Sequence, residues 1–172
     1  MNWLDWQYNI QQFLEAGGVA LWLIAVSMFL LWVIVIERYL FLYQLYPKLR
    51  AHWLGHWQIR NDKRSWKARR IRELMISEAK INLNVGLPLL KVLVVMCPLM
   101  GLLGTVIGMI EVFDTMAMLG TGNARAMASG ISRATIPTMA GMVVALPGMY
   151  FHSQLQQRAN RETARLVDQL TY

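Results

Sequence analysis

The stretch Pro98-Leu99-Met100-Gly101-Leu102-Leu103-Gly104-Thr105-Val106-Ile107-Gly108-Met109-Ile110-Glu111-Val112-Phe113 decides the fold. With the residues before it, it forms an uncharged run from Val92 to Ile110, about the ~18 residues that cross a bilayer as a helix. On that helix Gly101, Gly104, Thr105 and Gly108 follow an i, i+3, i+4, i+7 pattern and share one smooth, weakly polar face. Lipid requires no such face, whereas a neighbouring helix does, because small residues let backbones approach closely.

Two further uncharged runs, Ala16 to Ile36 and Ala134 to Phe151, set the class. The chain of 172 residues is 56% hydrophobic and only 16% charged, with a mean hydropathy of +0.34. Three such runs leave too little polar chain to cover them as soluble core helices. The expected fold is an all-α integral membrane protein with three transmembrane helices, assembling as a homo-oligomeric helical bundle.

The net charge of +7 is concentrated between the first and second runs, where Arg60, Lys63, Arg64, Lys67, Arg69, Arg70 and Arg72 cluster. The first 16 residues hold only Asp5 and Glu15, and the tail carries Arg158, Arg161 and Arg165. The positive-inside rule then puts the basic segment and the tail in the cytoplasm and the N-terminus outside. Anionic lipid headgroups account for the basic charge, and no nucleic acid is called for. No cleavable signal peptide is expected, since a positive n-region is missing and the first apolar run is long enough to remain in the membrane.

The expected organisation follows the chain. Residues 1–16 form an outer amphipathic interfacial helix with Trp3, Trp6, Ile10 and Phe13 on one side. Gly17-Gly18 permits the bend into a first span over 17–42, bulky on all sides and lipid-facing, with Ser27 as its polar interruption. A basic cytoplasmic loop occupies 43–87, helical over 65–83; the second span covers 88–113, a short periplasmic loop 114–123, the third span 124–152, and a cytoplasmic helical tail 153–172. The third span carries its own small-residue stripe of Gly130, Ala134, Thr138, Gly141, Ala145 and Gly148.

His52 and His56, spaced i, i+4, would suit a metal, but no third ligand is near, and the flanking Trp53 and Trp57 favour an interfacial aromatic segment. Cys97 lies inside an apolar run, where a thiol stays protonated. No metal, cofactor or catalytic nucleophile–base pair is expected, and the chain does not read as an enzyme.

Thr105 and Thr138 fall near the middle of antiparallel spans, so their hydroxyls are expected at one depth. Either they meet a pore or a partner helix, or each bonds back to a carbonyl of its own helix and relieves its polarity. The expected pore-lining or partner-contact set is Thr105, Thr138, Gly101, Gly104, Gly108, Ala134, Gly141 and Ala145. The middle of all three spans lacks Asp, Glu, His and Lys. Threonine does not titrate, so a proton relay here needs a carboxylate supplied by another chain. Glu111 and Arg133 lie six and five residues outward of the threonines, about 8–9 Å at 1.5 Å per residue. They are either a salt bridge, within or between subunits, or two independent residues reaching the outer interface.

The block Pro98 to Ile110, followed by Ala128-Ser129-Gly130-Ile131-Ser132 and by Thr138-Met139-Ala140-Gly141-Met142-Val143-Val144-Ala145-Leu146-Pro147, resembles the MotA/TolQ/ExbB proton-channel family. The likeness runs from about Leu90 to Gln154 and is most like the ExbB type in a short form. It implies an inner-membrane homopentamer around single-span ExbD-like partners whose membrane aspartate carries the proton. It further implies that proton motive force is passed through a TonB-like protein to outer-membrane uptake of iron chelates and similar ligands. Thr105 and Thr138 match the family's pore threonines. Arg133 stands where better-known ExbB proteins carry glutamate, which implies a reversed outer pore charge that Glu111 would offset. A TolQ-like role in envelope maintenance and a non-conducting scaffold are the competing readings; a MotA-like stator would need four spans.

Overall fold

The computed structural model describes residues 17–59, 65–119 and 124–170. In these residues the regular structure is entirely helical. Helix α1 (Gly18–Leu40) passes through a π-helical turn (Phe41–Leu45) into α2 (Tyr46–Gln58), and α3 (Trp66–Asn84), α4 (Leu87–Leu119) and α5 (Ala124–Gln169) follow. The interfacial helix expected over 1–16 and the connection Gly120–Asn123 lie outside the described residues. Three helical stretches are long and apolar enough to cross a membrane, with best windows of mean hydropathy 2.8, 2.3 and 1.3 within Gly18–Gln58, Trp66–Met118 and Met127–Gln169.

The chain divides into two units, Met1–Leu31 with Val92–Met149 and Trp32–Lys91 with Tyr150–Tyr172. In the first, α1 is not lipid-facing on all sides. Ala20, Leu21, Ile24, Ser27 and Leu31 are buried at helical spacing, while Val19, Trp22, Val26 and Phe29 stay exposed. Ser27 sits on the packed face: its hydroxyl donates to Leu23 O at 2.8 Å and lies 3.4 Å from Met100 Sδ. Gly18 opens α1 at φ +56°, a conformation glycine adopts without a Cβ penalty.

The second unit includes the segment expected as a basic cytoplasmic loop, in which the helix expected over 65–83 is α3 and α2 is an additional helix. Helices α2 and α3 occupy most of 43–87, and Trp53 and Trp57 are buried at 7% and 2% exposure. The two tryptophans therefore serve a helical core and not a membrane interface. His52 and His56 are left outside, their rings meeting edge to face at 4.5 Å. Ser65 starts α3 as an N-cap, its Oγ accepting from Ala68 N at 3.3 Å. The break into α4 falls at Gly86 (φ +76°), where a Cβ would come within 3.0 Å of Arg38 Nε. The buried Arg38 guanidinium donates to Glu37 at 2.9 Å and to Asn82 O, one of the last carbonyls of α3, at 3.5 Å.

The end of α5 is held in this unit by two arginines. Arg72 donates to Leu170 O (2.6 Å) and Val167 O (3.1 Å), carbonyls that the helix end leaves without partners. Arg50 reaches Gln169 Oε1 at 2.7 Å and Glu162 Oε2 at 3.2 Å. Beside them the Tyr46 hydroxyl donates to Glu162 O at 3.3 Å, and burial, followed by the Glu162 charge, pushes its pKa up. Replacing Arg72 with alanine strips the α5 terminus of both bonds. A loss of about 1–3 kcal/mol is expected, the range for hydrogen bonds to a charged group. Thermal unfolding of the detergent-solubilised protein would read it as a lowered midpoint.

Candidate functional site

Helices α4 and α5 run antiparallel along a seam of small residues. A Cβ added at Gly108 would lie 2.7 Å from Ala134 Cβ, and one at Gly101 would lie 2.9 Å from Pro137 O and from Thr138 Cα. At Gly141 it would come within 2.6 Å of Cys97 O, and at Gly130 it would run into a Val112 methyl. Gly104 is where three helices meet, since its Cβ would stand 2.5 Å from Pro137 Cβ and 2.8 Å from Ala20 Cβ on α1. Gly101, Gly104, Ala134, Gly141 and Ala145 are buried, and Gly108 is half-buried. These six residues were expected to line a pore or receive a partner helix. In the structure Gly108 meets Ala134, Gly141 meets Cys97 and Gly101, and Gly104 meets Pro137 and Ala20, while Ala145 is buried; small residues let these two proline-bearing helices close on each other.

The threonines sit beside this seam and remain half-buried. Thr105 follows Gly104 and Thr138 follows Pro137, each one position after a residue that faces the opposite helix. In antiparallel helices that offset carries both to the same flank of the pair. Helix α1 occupies the other flank, where Met100 meets Ser27. The two hydroxyls are not at one depth, however. Gly104 lies against Pro137 and Gly101 against Thr138, so Thr138 stands two to four residues, roughly 3–6 Å, inward of Thr105 at 1.5 Å per residue. Their hydrogen bonds also differ. Thr105 Oγ1 donates back to Leu102 O at 2.7 Å, whereas Thr138 Oγ1 donates across the seam to Gly101 O at 3.0 Å.

Residues 44–168 match the profile of the MotA/TolQ/ExbB proton channel family. The chain belongs to this family. Among its curated relatives, the biopolymer transport protein exbB1 of Vibrio cholerae is 36% identical over 100 residues, covering 58% of this chain and 44% of the relative. A putative ExbB-like protein 3 of Synechocystis is 34% identical over 92 residues (48% of this chain, 44% of the relative). An ExbB-like protein 1 of Helicobacter pylori is 29% identical over 102 residues (57% and 54%). The chain thus spans about half the length of the curated relatives it matches.

Within this MotA/TolQ/ExbB chain, Glu111 and Arg133 are both exposed, and among the described residues neither forms an ion pair. The bridge expected within the chain is therefore not made. Each charge stands next to a seam residue, Val112 or Ala134, on the flank shared with α1 and opposite to the threonines. Thr135, overlooked in the sequence, is exposed on the threonine flank and donates to Ser132 O at 2.8 Å. Its signal was available: like Thr105 after Gly104, it follows by one position a small residue of a stripe, Ala134.

Proposed function

We propose that this chain is an ExbB-like subunit of a proton-motive-force-driven motor in the bacterial inner membrane. Copies of it, five by resemblance, surround ExbD-like single-span partners that supply the membrane aspartate. A TonB-like protein carries the output to outer-membrane uptake of iron chelates and similar ligands. The observation that carries this reading is a membrane unit with hydroxyls on an open flank and no titratable side chain at their level. The runs Val92–Ile110 and Ala134–Phe151 contain no charged residue and no histidine. Threonine can hold a proton donor in place and cannot itself release a proton at any cellular pH. The conducting acid must then come from a second chain, and the small-residue seam leaves the threonine flank of α4 and α5 as the surface that meets it.

The names of the Vibrio cholerae and Helicobacter pylori relatives, biopolymer transport and ExbB-like, support a transport subunit over a scaffold. The test is purification of the tagged chain from its native membrane, with the co-purifying proteins identified by mass spectrometry. A companion with one membrane segment bearing an aspartate is expected, and proton flux in liposomes should require both chains. Selective flux through the tagged chain alone would overturn the reading.

A further inference from the structure

Helix α2 carries two histidines one turn apart, His52 and His56. In the sequence the flanking Trp53 and Trp57 spoke against a metal, because a membrane interface accounted for the whole segment. The structure removes that account. Both tryptophans are buried in the second unit, while both histidines stand exposed on the outward side of the helix. An i, i+4 pair shares one helix face, and here the two rings meet with centres 4.5 Å apart and planes at 82°.

That separation suits one ion. Imidazole binds late first-row divalent metals through a nitrogen at about 2.0–2.1 Å, which puts the ring centre roughly 3.2 Å from the ion. Two rings so placed, with centres 4.5 Å apart, subtend an angle of about 90° at it. This is the angle between neighbouring ligands in square-planar and octahedral coordination, whereas a tetrahedral ion would need centres about 5.2 Å apart. Rotation about Cβ–Cγ turns the nitrogens toward a common point and moves the ring centres little. Among the described residues no third Asp, Glu, His or Cys joins the pair, so the other coordination positions fall to water and the ion is exchangeable. The place on α2 also favours a cation, since His56 lies in the last turn, at the negative end of the helix dipole. Lys48, a turn before His52, is exposed, and water screens its charge.

We infer that His52 and His56 form a surface clamp for a divalent ion of the copper or nickel type, which on binding staples the last two turns of α2 to each other. Neither residue has a part in the partner-acid reading above, and the two stand or fall separately.

The full chain, solubilised and purified through a tag free of histidine, is stripped with a chelator and titrated with CuCl2 and with NiCl2 by calorimetry. One ion per chain is expected, and the paramagnetic resonance spectrum of bound Cu2+ should show two coordinated nitrogens. His52→Ala and His56→Ala should each weaken binding at least about tenfold, since a single ring loses the second, intramolecular contact. Combining His56→Ala with Gln58→His keeps two histidines but sets them six positions apart on different sides of the helix, and should bind as weakly as the single variants. His152 is present in all of these proteins and sets the background. Without metal every variant should unfold at the native midpoint, because the exchanged side chains are exposed. A saturating ion should raise the midpoint of the native chain alone. Native affinity in either single variant or in the rearranged one, a spectrum with one nitrogen, or a native midpoint that the ion leaves unmoved overturns the inference.

Discussion

Gly104→Leu is expected to prevent the membrane unit from closing. A Cβ alone at this position would meet Pro137 Cβ at 2.5 Å and Ala20 Cβ at 2.8 Å, and neither can rotate away. Overpacking of a tight contact costs ~1–3 kcal/mol and sometimes more, and a branched side chain at a three-helix junction belongs at the upper end. Gly141→Leu should act similarly, since its Cβ would meet the Cys97 carbonyl oxygen at 2.6 Å. The measurement is the yield and thermal midpoint of the solubilised protein. Gly55→Ala is the control: a Cβ there meets nothing within 4 Å, and alanine in a helix interior is favoured over glycine by about 1 kcal/mol. Native behaviour of Gly104→Leu would remove the seam as the basis of the fold.

Valine at the two threonines should separate function from folding. Thr105 bonds only within its own helix, so Thr105→Val is expected to fold with stability unchanged to about 0.5 kcal/mol. Thr138→Val breaks a part-buried bond between helices and should lose ~0.5–1.5 kcal/mol. Despite this difference, both should reduce proton-driven transport by at least about tenfold, the change that one lost hydrogen bond of ~1.4 kcal/mol in a rate-determining step produces. Proteoliposomes containing the chain and its companion, energised by a pH gradient, would provide the readout. Full transport in Thr105→Val would place that hydroxyl outside the working surface.

The membrane class, the three apolar runs and the family were legible along the chain because each is a property of local sequence. Run length reports hydrocarbon thickness, and the blocks Pro98–Ile110 and Thr138–Pro147 carry the family pattern in order. The i, i+3, i+7 spacing puts Gly101, Gly104 and Gly108 on one face of their helix, and in the structure that face lies against α5. The spacing could not say whose helix. A glycine stripe is equally suited to a neighbour in the same chain or in another, and only the fold shows that the backbone it meets is that of α5 at Ala134, Pro137 and Thr138. In the second unit the helix expected over 65–83 is α3, whereas α2 was not foreseen: it has low apolar content, and its Trp53 and Trp57 suit an interface as well as a core.

By itself the sequence determined that this is a membrane-spanning member of the MotA/TolQ/ExbB family whose apolar runs hold no Asp, Glu, His or Lys. Only the tertiary structure decided that the glycines close the chain on itself and that Thr138 lies inward of Thr105. The reason is register: depth along one helix is fixed by rise per residue, but the pairing of depths between two helices is fixed only where their backbones touch.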